Sequence, residues 1–76
     1  MKLSQAKALY AEGKLVSAAI MRNPSNLTQW FIMVRDKTGK SYIIGNEDDT
    51  TVVNANIEAL FSVLKSIGFK EVLISL

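Results

Sequence analysis

The segment that decides the fold is an uninterrupted apolar run near the middle of the chain, Trp30-Phe31-Ile32-Met33-Val34. Aromatic and β-branched residues favour strands, and turn-forming residues bound the run on both sides. Successive side chains of a strand point to opposite faces, so this strand is apolar on both faces. A sheet with only one covered face alternates apolar and polar residues instead. The run therefore predicts a central strand whose second face is also covered.

The residues around this run predict a meander of antiparallel strands. Upstream, residues 15–21 are mostly apolar at both odd and even positions. A cluster of turn-forming residues around Pro24 follows them. Downstream, residues 36–39 end in Gly39, which can adopt a positive φ in a hairpin turn. A third strand at 40–44 follows. The predicted strands are thus 15–21, 28–35 and 40–44.

Helices are predicted on either side of the meander. The first spans residues 4–12, with Ser4 as the N-cap. A short strand is expected at 51–53. The second helix follows it, with Asn54 as the cap of the helix and Gly68 at its end. Its apolar residues recur at helical spacing: Ile57, Leu60, Phe61, Leu64 and Ile67.

A final strand at 69–74 completes the order α-β-β-β-(β)-α-β. This order predicts a single α+β domain over residues 1–76, a two-layer sandwich with a mainly antiparallel sheet.

Three arrangements would cover the second apolar face of the central strands. One helix packs on each face, or a second copy of the chain stacks on the sheet or pairs with its edge, or an apolar ligand or partner segment binds there. If a second copy covers the face, a homodimer results. The residues predicted to mediate self-association are Ala19, Met21, Phe31 and Met33.

The composition argues against the common catalytic chemistries. The 76 residues include no cysteine and no histidine. Disulfides, thiolate and imidazole metal ligands and a histidine general base are therefore excluded. The glycines do not form a phosphate-binding loop, and the acidic run at residues 47–49 is better explained as a solvated loop than as a calcium site. We expect no enzyme activity, no cofactor and no metal.

The basic residues suggest a different partner. The net charge is +2, and five cations, Lys14 among them, lie at strand ends or in turns of the meander. The four predicted to contact nucleic acid are Arg22, Arg35, Lys37 and Lys40. Such a set suits contact with nucleic-acid phosphates. The alternative is that these cations keep the chain dissolved and protect strand edges from pairing. A ligand carrier or enzyme with a pocket between sheet and helices is the contrary class, which a buried acid with a perturbed pKa would favour.

Targeting signals are not evident. The N-terminus lacks the apolar core of a secretory signal, and no stretch approaches the length of a membrane-spanning segment. We expect a cytoplasmic protein without membrane contact.

Two resemblances bear on function. The chain resembles short bacterial proteins of plasmids and other mobile elements, some of which are labelled as replication accessory proteins. The resemblance lies in the opening residues 1–9 and in the ending 60–69, which contains Leu60 and Leu64-Lys65-Ser66-Ile67-Gly68-Phe69. The order of elements also resembles double-stranded RNA-binding domains, but residues 54–58 lack the cations of that family. The first resemblance implies a non-enzymatic accessory role near DNA. The sequence thus favours a small binding module that contacts nucleic acid, or alternatively one that binds proteins or itself.

Overall fold

The computed structural model describes residues 1–75 and contains two helices and five strands. In chain order they are α1 (Leu3–Ala11), β1 (Leu15–Arg22), β2 (Trp30–Asp36), β3 (Ser41–Ile43), β4 (Val53–Asn54), α2 (Ile57–Ile67) and β5 (Leu73–Ser75). The predicted α+β class and the order of elements are confirmed. Neither helix is long and apolar enough to cross a membrane, within the described residues.

The five strands form one mixed sheet. The order of its strands is β3-β2-β1-β5. Strand β4 pairs with β2 as well, along the same edge of β2 as β3. The pairs that involve β2 are antiparallel, whereas β5 runs parallel to β1. The parallel direction follows from α2, which carries the chain back across the sheet before β5 begins.

The pairing of β1 with β2 sets which side chains share a face. Ala18 lies opposite Val34, and Ile20 lies opposite Ile32. All four side chains are buried, whereas the neighbours Ala19 and Met33 are only half-buried. The sheet therefore has one fully covered face and one face that is not.

A β-bulge near the start of β1 changes which face the first residue of the strand points to. The register shifts between Leu15 and Ser17, so that Leu15 is opposite Asp36 and Ser17 is opposite Arg35. The extra residue, Val16, is 55% exposed, while Leu15 is buried in the core. Because the bulge inserts one residue, it turns Leu15 to the covered face, although its odd position would otherwise place it beside Ala19.

Both helices pack on the same face of the sheet. The core residues of the helices, Ala6, Leu60 and Leu64, belong to one cluster with Ile20 and Ile32 of the strands. The small side chain of Ala6 is fully buried in this cluster, and α1 and α2 are in contact with each other. The alternative with one helix on each face is therefore wrong, because the chain places both helices side by side over one layer.

The element boundaries differ from prediction where local hydrogen bonds decide them. Helix α1 begins at Leu3, since Gln5 Oε1 accepts from the backbone N–H of Lys2 at 3.0 Å and Ser4 is not its cap. Helix α2 is capped by Asn56, whose Oδ1 accepts from Glu58 N at 2.9 Å, while Asn54 Oδ1 accepts from Asn56 N. The last strand is shorter than the predicted 69–74, because Phe69 packs in the core before β5 starts.

The glycine that ends α2 also makes room for a ring of α1. Gly68 has φ +129°, and its backbone N–H donates to Leu64 O at 3.1 Å. A Cβ at this position would overlap the Tyr10 ring, with Cδ1 at 2.6 Å. Tyr10 in turn packs edge-on against Phe69, with ring centroids 4.7 Å apart. Gly68 thus joins the end of α2 to α1.

We expect Gly68→Ala to lower the free energy of unfolding by about 2–4 kcal/mol, since it combines backbone strain with overlap of a packed ring. Gly39→Ala is the matched control, because Gly39 also has a positive φ of 89° but has no atom within 4 Å of an added Cβ. The control should cost about 1–2 kcal/mol from strain alone. Urea unfolding followed by Trp30 fluorescence measures both, and equal losses would contradict the role assigned to the Tyr10 contact.

Candidate functional site

The face of the sheet that the helices do not cover, here called the open face, is largely apolar. Cross-strand register places four apolar residues in one row across it: Leu73, Ala19, Met33 and Ile43. The next row contains Ser75, Met21, Phe31 and Val53. Residues within a row are cross-strand neighbours, a spacing at which side chains shield one another, and Phe31 and Met33 are accordingly half-buried without a layer above them.

Polar residues bound these two rows. Arg35 lies beyond the Met33 row, with Ser17 and Ser41 as its neighbours on β1 and β3. At the opposite end, where β3 and β4 diverge, Phe31 and Val53 line a hollow of about 290 Å³. The open face therefore has an apolar centre, a polar margin and a depression next to an aromatic ring, which is the usual composition of a protein–protein contact.

The four residues predicted to mediate self-association all lie on the open face. Ala19 and Met21 of β1 lie beside Met33 and Phe31 of β2, in the two apolar rows. The structure adds Ile43, Val53 and Leu73, which are 45%, 37% and 72% exposed. For Ile43 the sequence did contain a signal, because alternation along β3 places the side chains of Tyr42 and Ile43 on opposite faces of the sheet. No local signal indicated Leu73, because its place in the row depends on the parallel pairing of β5.

The four predicted nucleic-acid contacts do not form one patch. Arg22 pairs with Trp30, so its side chain lies on the helix-covered face, whereas Arg35 lies on the open face. The two arginines are also about 17 Å apart along the strands, at opposite ends of β2. The guanidinium of Arg22 stacks 4.5 Å from the Trp30 ring centroid and donates to Leu27 O at 2.8 Å. Arg22 therefore contributes to the β1–β2 connection.

The other cations gather at one end of the sheet. Arg35 is the exposed residue near the end of β2. Lys37 lies in the turn that follows, and Lys40 lies directly after it. Lys14 joins them, because its carbonyl accepts from Lys37 N at 3.1 Å. Within residues 1–75, only Lys14 of this group has a carboxylate within 4.0 Å, which belongs to Glu12. This group of Lys14, Arg35, Lys37 and Lys40 is called the basic end below.

Asp36 organises the turn that carries the basic end. Its Oδ1 accepts from Thr38 Oγ1 at 2.6 Å, from Thr38 N at 2.9 Å and from Lys40 N at 3.0 Å. Its Oδ2 accepts from the Tyr42 hydroxyl at 3.1 Å. The bond from the Thr38 hydroxyl is the main cause that holds the pKa of Asp36 below its ordinary value, and partial desolvation opposes it. Desolvation, with the neighbouring Asp36 carboxylate, raises the pKa of Tyr42.

The acidic loop at residues 46–50 has a structural role of the same kind. Asp48 Oδ1 accepts from the hydroxyl of Thr50 at 2.6 Å and from its backbone N–H at 3.1 Å. These bonds lower the pKa of Asp48. No three acidic side chains of residues 1–75 are grouped as metal ligands. Asp48 therefore shapes the loop between β3 and β4.

No protein-family model, curated protein or solved structure matches this chain. The resemblance to accessory proteins of plasmids stays a prediction. The described surface offers two candidate contact regions of different chemistry, the open face and the basic end. The functional argument therefore depends on which of them the geometry favours.

Replacing Asp36 with asparagine should lower the thermal midpoint at neutral pH, because an amide offers the turn a single acceptor oxygen. The folded-state pKa of Asp36 is lowered, so its contribution is fully present above the ordinary carboxyl range. It is lost as the pH falls through the folded-state value. The difference in midpoint between wild type and Asp36→Asn should therefore shrink in acid. Thermal unfolding by far-UV circular dichroism across a pH series measures it, and a difference independent of pH would contradict the assignment.

Proposed function

We propose that this chain is a small non-enzymatic binding module that self-associates by stacking the open faces of two copies. The observation that carries the proposal is the pair of apolar rows on the sheet. Seven apolar side chains share this face, and no element of residues 1–75 covers them. A monomer seldom exposes so continuous an apolar surface.

The size of the domain supports a contact of this kind. A stable interface takes about 800 Å² from each partner. The accessible surface of the chain is 4850 Å², so such a contact would bury roughly a sixth of it. A domain of this length can build only one modest core, and stacking two sheets would add a second apolar layer.

The charge distribution favours a second copy as the partner. Arg35 is the only charged residue in the paired rows of the open face, and it lies at the margin. Two identical faces can therefore meet without bringing like charges together at their centre. Phe31 beside its hollow offers an aromatic anchor and a recess on the same surface, a pairing typical of residues that dominate binding energy.

Nucleic-acid contact is the second candidate, and the basic end supports it. Arg35, Lys37 and Lys40 project from one end of the sheet and have no carboxylate within 4.0 Å among the described residues. Unpaired cations on a rigid turn suit phosphate contact. This candidate would agree with an accessory role near plasmid or mobile-element DNA, which the resemblance implies. A stacked dimer would carry two basic ends.

Met33→Asp should convert a dimer into a monomer at about 10 µM protein, because it places an unpaired charge at the centre of the stacked faces. Sedimentation velocity measures the change in mass. Leu27→Asp is the matched control, since Leu27 is 62% exposed in the β1–β2 connection and does not belong to the two apolar rows of the open face. The control should leave the dimer intact. A monomeric wild type at this concentration would refute the stacked dimer.

The double substitution Arg35→Glu with Lys37→Glu reverses two charges of the basic end, and it should abolish salt-dependent binding to mixed-sequence duplex DNA. The control, Lys7→Glu with Lys70→Glu, changes the net charge equally at two exposed sites outside the basic end. An NMR amide titration at low and moderate salt compares the two variants with wild type. Equal loss in both variants would indicate only net charge, and unchanged affinity in the first would remove the basic end as a binding site.

A further inference from the structure

The outer edge of β5 has no backbone partner within residues 1–75. Strand β5 forms one end of the sheet and pairs only with β1. The opposite edge is better protected, because the start of the chain lies along it. The amino group of Met1 donates to Ile43 O at 2.9 Å, and Leu3 N donates to Gly45 O at 2.9 Å. The start of the chain therefore protects part of the opposite edge, whereas no described residue bonds to the outer edge of β5.

Strand β5 also lacks the devices that keep an open edge from pairing. Its residues Leu73–Ser75 contain no charge, no proline and no bulge. Leu73 is 72% exposed and Ile74 is 45% exposed, on opposite faces of the sheet. Natural edges of this composition are normally shielded by lysine, proline or a covering loop. The strand is consequently a template for another strand.

Free space lies beside the strand on both faces of the sheet. On the helix side, a cavity of about 660 Å³ lies between the end of α2 and β5, lined by Phe61, Leu64, Phe69, Val72 and Ile74 with two lysines. On the other side, a groove of about 370 Å³ lies between β1 and residues 71–73 and includes Val16 and Leu73. Ile74 pairs with Ile20, which is fully buried, so the exposure of Ile74 arises because the helix layer ends before β5. An added strand would place its helix-side residues next to the cavity at Ile74.

We propose that a second copy of the chain adds its own β5 to this edge in the antiparallel direction, so that one sheet runs through both copies. With the two-fold axis at Ile74, the two Ile74 side chains lie next to each other at the mouths of the two cavities. Leu73 then lies opposite Ser75 of the second copy, a large residue against a small one. Edge pairing of this kind is isologous, with the same residues used on both sides.

The charges nearest to β5 do not oppose this pairing. Within residues 1–75, the charged residues nearest to β5 in the chain are Glu71 and Lys70, three and four residues before Ile74. The two Glu71 Cα atoms would be roughly 20 Å apart along the paired strands, and the two Lys70 Cα atoms roughly 26 Å apart. The paired segment itself is neutral, so the strand meets its own copy without repulsion. This edge contact goes beyond the stacked dimer and is separate from it, because Ile74 lies on the helix side of the sheet and Met33 lies on the open face.

The test separates the two contacts with variants that share a Met33→Asp background, which blocks the open face. At about 1 mM protein, Met33→Asp should reach a mass in sedimentation equilibrium well above its 8.4 kDa monomer, and Met33→Asp with Ile74→Asp should stay monomeric. Ile74→Cys in the same background should form a disulfide-linked dimer under mild oxidation, because paired strands bring such residues within disulfide reach. The chain has no native cysteine to interfere.

Leu27→Cys is the control for random oxidation, since Leu27 is exposed and far from β5 in the chain. A yield of cross-linked dimer several-fold higher for Ile74→Cys supports the edge contact. A monomeric Met33→Asp with equal cross-linking of the two cysteine variants would overturn it and leave the stacked dimer standing. A wild-type dimer that survives Met33→Asp but is lost with Ile74→Asp would support the edge contact and overturn the proposed stacking. Trp30 fluorescence and far-UV circular dichroism confirm that each variant is folded.

Discussion

The antiparallel register between β1 and β2 is the constraint on which the rest of the structure depends. It aligns Ala18 with Val34 and Ile20 with Ile32, so the best-buried strand residues share one face. A slip of one residue would move that entire set to the other face. The bulge at Val16 extends the same arrangement to Leu15, which would otherwise lie outside the core. Two helices can pack on this face because a single register makes it continuously apolar.

The placement of both helices on one layer explains the remaining surface chemistry. Helix α2 contributes Leu60 and Leu64 to the core, and α1 reaches it through the small Ala6 beside α2. Within residues 1–75 no further element covers the second face, and that face retains Phe31 and Met33. The helices also end short of β5, so Ile74 faces a cavity while its neighbour Ile20 is buried. The open face and the edge at β5 are thus both apolar and exposed because the helix layer covers only part of the sheet.

The polar residues serve two different purposes. Arg22 stacks on Trp30 and holds the β1–β2 connection, so its charge contributes to the fold. The network around Asp36 instead fixes a turn that carries two exposed cations, Lys37 and Lys40. The open face and the basic end adjoin at Arg35, at the margin of the apolar rows. Arg35 is thus the one side chain common to the two proposed contacts, and the other three cations of the basic end lie outside the paired rows of the open face.

The sequence by itself determined the α+β class, the helical stripe of α2 and the two-sided apolar character of β1 and β2. These features depend on local periodicity and turn chemistry, which neighbouring residues determine. It also placed Ala19 with Met21 and Phe31 with Met33, since alternation along a strand is a local property. That the two pairs share one face depends on the register between β1 and β2. Local patterns did not determine the cap of α2, where Asn54 and Asn56 both have suitable side chains and the hydrogen bonds choose Asn56.

Only the tertiary structure decided which face the helices cover, that β5 runs parallel beside β1, and that Arg22 and Arg35 lie on opposite faces. Each of these depends on contacts between residues distant in sequence. Composition and periodicity describe each segment alone, so the two apolar faces of a strand look alike until a partner covers one of them. The exposure of Leu73 and Ile74 has the same origin. Their surroundings are set by where α2 ends and by which strand β5 joins, and both are properties of the packed layers.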